Sequence, residues 1–178
     1  MFARLDNFIF YLINRDFSNR FLDLLMPVFT FFGTTKFILL VIISLFVARK
    51  KELRTPAILL LVGFVLSAAS ASVLKTWIMR PRPFMVLPGV RVLTNSNGPS
   101  FPSGHSVNIF MLVAVITASF KNRKFLLLYI VAFGTALSRV YLGVHFPSDC
   151  LGGAIIGIII AYLMIKLLNK IGFLSIMR

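Results

Sequence analysis

The chain has 178 residues, of which 58% are hydrophobic and 13% are charged, whereas soluble domains carry about 25% charged residues. Its mean hydropathy of +0.93 and its long runs without an ionisable side chain exclude an ordinary soluble domain and indicate an integral membrane protein. A net charge of +14 would suggest nucleic acid in a soluble protein. Here the basic residues cluster between apolar runs, so topology and anionic lipid headgroups account for them, and we predict no nucleic-acid partner.

Residues 1–34 predict an interfacial amphipathic segment. Apolar side chains recur there at helical spacing, with polar side chains on the other faces. A break is expected over Asn14–Asn19, followed by a second helix from Arg20 to Phe32 that Pro27 bends. We interpret this segment as packing against the rest of the protein rather than as part of a functional site.

Five apolar runs follow, and each predicts a transmembrane helix. A span needs roughly 20 helical residues, and the runs reach that length when snorkelling flanking residues are included. The predicted spans cover Thr35–Ala48, Pro56–Leu74, Ser103–Phe120, Phe125–Ser138 and Pro147–Leu168, with Pro56 at a helix start. The fold class is therefore all-α, a polytopic membrane helix bundle. We expect one integral-membrane domain over residues 1–178, with the active site in the bundle of residues 35–168.

The distribution of basic residues predicts the orientation. The short basic loops Arg49–Arg54 and Lys121–Lys124 share one side with the C-terminal tail, and they resemble cytoplasmic loops. The N-terminus, the connection Lys75–Phe101 and the stretch Ser138–Asp149 share the other side. We predict a multi-pass protein of the inner (plasma) membrane, with these polar stretches on the periplasmic or extracellular face. Cations on that face are unusual, and a bound anionic ligand would account for them.

Three polar clusters lie at this face, and together they fit a phosphate. They are Lys75 with Arg80 and Arg82, the segment Pro102–Ser106, and Ser138-Arg139 with His145 and Asp149. Lysine and arginine bind phosphate oxygens, and a helix that starts at Ser103-Gly104 offers free N–H groups to an anion. Of the two histidines, one could attack phosphorus while the other protonates the leaving oxygen. Asp149, four residues after His145, could hold its imidazole.

Two other interpretations of these residues are open. The polar stretches could be connectors at the membrane surface, with the cations as snorkelling anchors. Two histidines and an aspartate could also ligate a metal ion, but four basic side chains nearby would repel it and no second acid is present. We therefore predict no metal.

Three motifs carry a family resemblance. They are Lys75, six residues, Arg82-Pro83; Pro102-Ser103-Gly104-His105; and Ser138-Arg139, five residues, His145, three residues, Asp149. Arg80-Pro81 offers a second register for the first motif. In all three motifs the chain resembles the type 2 phosphatidic acid phosphatase family of membrane lipid phosphatases, which is related to vanadium haloperoxidases and bacterial acid phosphatases. The resemblance covers about Lys75–Asp149 and the surrounding spans.

The resemblance implies a role for each motif residue. His145 would form a phosphohistidine, His105 would be the general acid, and Asp149 would orient His145. The phosphate oxygens would be held by Lys75, Arg82, Ser103, Gly104 and Arg139. The family needs no metal, so no cofactor is expected. Arg80 and Arg91 have no motif role, and we expect them to contact headgroups or the edge of the substrate.

These observations predict a membrane lipid phosphatase, a hydrolase of lipid phosphomonoesters or diphosphates in cell-envelope lipid metabolism. Undecaprenyl diphosphate is the first candidate substrate, because an outward-facing site suits the recycling of a carrier lipid. Lipid A 1-phosphate, phosphatidylglycerophosphate and phosphatidic acid are alternatives, as is phosphate transfer between lipids. A protein of a different class, a non-catalytic lipid-phosphate binding or transport protein, would need the cations but not the paired histidines. The expected partners are a lipid phosphate and the bilayer, and the sequence leaves the oligomeric state open.

Overall fold

The computed structural model describes residues 2–120 and 122–170, and every regular element among these residues is a helix, with no strand. The α-helices are α1 (Phe2–Tyr11), α2 (Arg20–Phe31), α3 (Thr35–Val47), α4 (Lys51–Ile78), α5 (Pro83–Val86), α6 (Gly104–Phe120), α7 (Leu128–Tyr141) and α8 (Pro147–Lys170). A π-helical turn, Leu12–Asp16, follows α1, and a 3₁₀ turn, Arg123–Leu127, precedes α7. Lys121 and the tail residue Arg178, which entered the predicted orientation, lie outside the described residues. The predicted all-α class is confirmed.

Helix α6 forms the centre of the bundle. Consecutive residues from Ile109 to Val113 are all buried, which requires neighbours on every side of the helix, and α3, α4, α7 and α8 surround it. Glycines of α8 allow the closest approach: a Cβ at Gly153 would lie 2.7 Å from the Ser103 carbonyl oxygen, and one at Gly157 would collide with the carbonyl of Val107. Small residues permit such backbone contact between helices in lipid.

The distribution of polarity is that of a membrane protein. Large apolar side chains face outward along α4 and α8, whereas twelve polar or charged side chains are buried. In water this arrangement would expose far more apolar surface than soluble monomers tolerate, but in a bilayer the lipid tails cover it. The protein is therefore a membrane protein.

Within the described part of the chain, three helical segments are long and apolar enough to cross a membrane: Lys51–Val86, Arg123–Tyr141 and Pro147–Lys170. Helices α2 and α3 meet at a 49° bend and together satisfy the same criteria, which gives up to four such segments, while α6 is a shorter apolar helix of the same bundle. Each of the five predicted spans corresponds to a helix, but a total of five membrane crossings stays a prediction.

Several predicted helix boundaries are wrong. Helix α4 begins at Lys51, so Pro56 lies inside it rather than at its start, and it continues to Ile78 rather than ending near Leu74, so Lys75 lies in its last turn. A proline near a helix start removes one backbone hydrogen bond, and Glu52 in the first turn is favoured by the helix dipole. Helix α7 continues to Tyr141 rather than ending near Ser138. Its last turn therefore contains Arg139, and the connector to α8 is only residues 142–146.

The N-terminal segment forms the two predicted helices, and it docks on the bundle. The expected break begins as the π-helical turn, and α2 starts after Asn19, whose side chain accepts a hydrogen bond from the Leu22 amide. The buried Asn14 amide donates to the carbonyl oxygens of Arg91 and Tyr141 at 2.9 and 2.8 Å. This contact ties the segment to the long loop after α4 and to the end of α7. The predicted interfacial location of residues 1–34 stays a prediction.

Candidate active site

The residues of all three motifs lie at one end of the bundle, where α4 and α7 end and α6 and α8 begin. The Ser103 amide donates to the Asp149 carbonyl at 3.1 Å, which joins the starts of α6 and α8. The Lys75 ammonium donates to the Pro99 carbonyl at 2.6 Å, which joins the end of α4 to the long loop. His105 is close enough to interact electrostatically with Lys75, Arg82, Arg139 and His145. The structure thus brings together the residues that the sequence placed on one face.

Arg82 connects the long loop to His145. Its guanidinium donates to the Gly98 carbonyl at 2.8 Å, to the Asn97 carbonyl at 2.9 Å and to the Val144 carbonyl at 2.8 Å. Its Nη1, the atom that donates to the Val144 carbonyl, also lies 3.3 Å from His145 Nε2. Arginine has only donors, so Nε2 must be the accepting nitrogen and the ring proton is on Nδ1. The lone pair of Nε2 therefore faces the Arg82 cation.

Asp149 lies on the opposite side of the His145 ring, at a longer distance than predicted. Its Oδ2 is 3.6 Å from His145 Nδ1, which exceeds a hydrogen bond, and Nδ1 has no hydrogen-bond partner among the described residues. The same Oδ2 accepts the Phe146 amide at 2.8 Å, while Oδ1 accepts from Arg80 at 2.6 Å. The two side chains face each other as predicted, but Asp149 makes its shorter contacts elsewhere.

Arg139 is a buried cation with a partly unused set of donors. Its Nη1 donates to the Thr30 hydroxyl at 2.7 Å, a contact with α2 that the sequence motif does not reveal. Its Nε is buried and has no hydrogen-bond partner among the described residues. An unpaired donor on a buried cation is costly, and an anion beside it would remove that cost.

The start of α6 has room for a ligand on one side only. The Ser103 hydroxyl is fully buried and accepts from the Ser106 hydroxyl at 3.2 Å, so it turns toward the protein interior. At Gly104, a Cβ would meet no atom of the described residues within 4 Å. A Cβ at Gly33, in the bend between α2 and α3, would come within 2.7 Å of the His105 Cβ, so this bend backs the histidine. The backbone at Gly104 is thus the open part of the helix start.

The sequence missed the acidic partners of Arg80 and Arg91. Arg80 bonds Asp149 at 2.6 Å and Asp6 at 2.7 Å, and Arg91 bonds both oxygens of Asp23 at 3.0 Å. Both arginines thus form ion pairs with aspartates of α1, α2 and α8. The small number of acidic residues could have indicated these ion pairs. The chain has five of them, and an aspartate within an apolar helix is expected to have a cationic partner.

Tyr141 joins the end of α7 to α2. It is 1% exposed, and its hydroxyl donates to Asp23 at 2.6 Å. The backbone requires a glycine at position 143. The φ of Gly143 is +82°, which is unfavourable for other residues, and a Cβ there would collide with the Arg91 carbonyl. These two residues hold the turn that presents His145.

Burial controls the charge of His145. Loss of solvation lowers the pKa of His145 from 6.5 to about 4; the contact with Asp149 opposes this shift, and the nearby Arg139 and Arg82 cations add to it. The imidazole is therefore uncharged at neutral pH. An uncharged ring with its proton on Nδ1 has an unprotonated Nε2, which a nucleophile requires.

The chain was compared with known proteins. Residues 56–173 match the family model described as the PAP2 superfamily. The chain is 31% identical over 157 residues to phosphatidylglycerophosphatase B of Bacillus subtilis (strain 168), covering 80% of this chain and 73% of that protein. It is 35% identical over 88 residues to undecaprenyl-diphosphatase BcrC of the same organism, covering 48% of this chain and 44% of that protein. The crystal structure of Aquifex aeolicus LpxE superimposes with a TM-score of 0.80 at 33% identity, covering 91% of this chain and 95% of that one.

The depressed pKa of His145 predicts its titration. In a ¹⁵N NMR titration of the detergent-solubilised protein, we expect the His145 ring to stay uncharged at pH 5.5 and to protonate near pH 4, because burial disfavours the cation. The chain has two histidines, so His145→Asn assigns the signals. A His145 midpoint near the ordinary value of about 6.5 would contradict the buried, uncharged ring described above.

Proposed function

Because the chain belongs to the PAP2 superfamily and is a membrane lipid phosphatase, we propose that it hydrolyses a terminal phosphate in two steps through His145. The observation that carries this proposal is the uncharged Nε2 of His145, 3.3 Å from Arg82 and within reach of the charge of Arg139. A nucleophilic nitrogen beside buried cations matches the needs of an attack on a phosphate dianion. A protein that only binds lipid phosphates would not need this nitrogen.

The phosphate-binding set in this proposal is Lys75, Arg82, Ser103, Gly104 and Arg139. The three cations support it because their side-chain bonds are to carbonyl and hydroxyl oxygens rather than to carboxylates, so their charge is available to the substrate. The open space above Gly104 supports a contact from a backbone amide at the start of α6. The Ser103 hydroxyl, which is turned toward Ser106, would act through the helix start rather than by direct contact.

In the first step, His145 Nε2 attacks phosphorus and the bond from phosphorus to the leaving oxygen breaks. His105 donates a proton to that oxygen, so the dephosphorylated lipid leaves uncharged at this position. In the second step, His105 takes a proton from water, the water oxygen attacks the phosphohistidine, and inorganic phosphate leaves. Asp149 faces Nδ1 throughout and stabilises the positive charge that develops on the ring.

The substrate class follows from the location of the site. The phosphate-binding residues lie at one end of the bundle, and the outward-facing apolar side chains of α4 and α8 begin directly beside them. A lipid could therefore keep its tail in the bilayer while its headgroup enters the site. We propose undecaprenyl diphosphate as the first substrate, in line with the relative named as an undecaprenyl-diphosphatase. Phosphatidylglycerophosphate is the second, because a relative that aligns with 80% of this chain is named phosphatidylglycerophosphatase B.

The topology in this proposal has five crossings, by α3, α4, α6, α7 and α8, within one integral-membrane domain. Helix α4, with 28 residues, is roughly 42 Å long and exceeds the hydrocarbon core of about 30 Å. Helix α6, with 17 residues, is roughly 26 Å long and is surrounded by other helices, so its short length exposes little backbone to lipid. The basic loops after α3 and α6 favour the cytoplasm, which leaves the site on the periplasmic or extracellular face of the inner (plasma) membrane.

Phosphate release tests the activity. Purified protein is assayed against undecaprenyl diphosphate, phosphatidylglycerophosphate, phosphatidic acid and lipid A 1-phosphate. We expect release from at least one lipid, and a loss of about a thousandfold or more in His145→Ala, since removal of a nucleophile eliminates the covalent path. Asn122→Ala, in the loop at the opposite end, is the control and should match the wild type. Equal rates for wild type and His145→Ala, or no release from any lipid, would refute the proposal.

Cysteine labelling tests the orientation. Single cysteines replace Asn95, in the loop beside the site, and Asn122, in the loop at the other end, in a Cys150→Ala background; both positions are exposed. In intact cells a membrane-impermeant maleimide should label position 95, and position 122 only after permeabilisation. Labelling of position 122 alone in intact cells would reverse the topology.

A further inference from the structure

Arg80 occupies the centre of a charge cluster that no sequence motif assigns. It follows Met79, which ends α4 in a left-handed conformation with a φ of 47°. This turn directs the next residue away from the helix axis. From there the Arg80 guanidinium bonds Asp149 Oδ1 at 2.6 Å through Nη1 and Asp6 Oδ2 at 2.7 Å through Nη2. One cation thus bridges two carboxylates from opposite ends of the sequence.

The planar face of the same guanidinium is also fixed. It stacks on the Phe146 ring, 4.1 Å from the ring centroid, and Phe146 packs on Phe10 of α1 with 5.8 Å between ring centroids. Cation–π stacking and two carboxylate bonds leave the guanidinium little rotational freedom. Lysine could not reproduce this arrangement, because a point charge has neither the fork nor the plane.

Asp6 fixes the first turn of α8, the turn that contains Asp149. Its Oδ1 accepts the Ser148 amide at 3.0 Å, and its Oδ2 accepts the Ser148 hydroxyl at 2.6 Å. A carboxylate at a helix N-terminus satisfies free amides and is favoured by the helix dipole. Here the capping group comes from a different helix, so α1 holds the start of α8 in place.

The charges of the cluster depend on one another. Asp6 is 6% exposed and Asp149 is fully buried, and two buried carboxylates this close to one another would repel without the cation between them. The cations near Asp149 are Arg80 just after α4 and, at longer range, Lys75 and Arg82; the uncharged His145 ring faces it from the turn before α8. Of these, Arg80 has the shortest contact with the carboxylate. The position of Asp149 relative to His145 therefore depends on Arg80.

We propose that Arg80 is a positioning residue that holds Asp149 against His145, and that Asp6 of α1 holds Arg80 in turn. Arg80 contacts no group of the proposed phosphate-binding set, so it acts through Asp149 rather than on the substrate. The N-terminal helix is thereby part of the catalytic arrangement rather than only a packing element. This inference rests on the proposed function, in which Asp149 supports the attack by His145.

The test is the kinetics of phosphate release by Arg80→Gln, Arg80→Lys and Asp6→Asn. Misplacement of a catalytic group by about 1 Å costs roughly a hundredfold in rate. We therefore expect kcat to fall by about tenfold to a hundredfold in Arg80→Gln and less in Asp6→Asn, with KM changed less than about threefold, because phosphate contacts are retained. Arg80→Lys should recover only part of kcat, since it keeps the charge but not the fork.

A double variant separates positioning from general damage. Asp6 contacts both Arg80 and Ser148, so Asp6→Asn combined with Arg80→Gln should lose less kcat than the product of the two single losses. Arg91→Gln is the matched control, because it also breaks an arginine–aspartate pair between the long loop and an N-terminal helix, but at Asp23 instead of Asp149. Its thermal stability should fall as in Arg80→Gln, while its kcat should fall less than in Arg80→Gln, because Asp23 contacts Tyr141 rather than Asp149.

Three outcomes would overturn the inference while the wild type stays active and His145→Ala stays inactive. They are an unchanged kcat in Arg80→Gln, a rise in KM with kcat unchanged, and the same loss of kcat in Arg91→Gln. The second would mean that Arg80 binds substrate, and the third that its effect is general destabilisation. A wild type that releases no phosphate would instead refute the proposed function on which the inference rests.

Discussion

The cations that define the site are held by neutral oxygen atoms. Lys75 and Arg82 bond carbonyl oxygens of the long loop and of the turn before His145, and Arg139 bonds the Thr30 hydroxyl. Carbonyls and hydroxyls partly replace the lost hydration of a buried cation but leave its charge uncompensated. The result is a cluster of positive charge inside an apolar bundle. An anion in the site would lower the electrostatic cost of this charge.

The other two arginines of the long loop have the opposite environment. Arg80 and Arg91 pair with carboxylates, which come from α1, α2 and α8. These pairs neutralise charge and join the N-terminal helices to the loop and to the start of α8. The loop therefore carries two kinds of arginine within a few residues of each other. One kind keeps its charge available for a ligand, and the other holds the structure that presents the first kind.

The sequence predicted the helices, and it predicted that the motif residues would lie at one end of the bundle, because both depend on local patterns. Apolar runs define the helices, and the motif spacing places Arg82, His105, Arg139 and His145 at helix ends on the same side. The register between Arg80 and Arg82 was ambiguous in sequence, and the structure distinguishes them by their partners: Arg82 faces His145, and Arg80 faces Asp149 and Asp6. The roles that we propose for these residues await the kinetic experiments.

The contributions of the N-terminal segment were not predictable from local patterns. Asp6 pairs with a residue 74 positions away, Asp23 with one 68 away, and Thr30 with one 109 away. Such contacts depend on how α1 and α2 dock against α7 and α8, and helical periodicity describes only which face of each helix is apolar. The end of α7 was predicted too early for a similar reason. Tyr141 and Arg139 are polar enough to suggest a loop, but both are buried within the helix, where they contact α2.

The central claim is that His145 forms a covalent bond to phosphorus, and the most direct measurement is chemical trapping of that intermediate. The protein is mixed with a lipid phosphate labelled with radioactive phosphorus, the reaction is stopped within milliseconds, and the label bound to protein is counted after acid and alkali treatment. A phosphohistidine should appear as label that is lost in acid and retained in alkali, and it should be missing from His145→Ala. Label that survives acid, or label that persists in His145→Ala, would contradict the account.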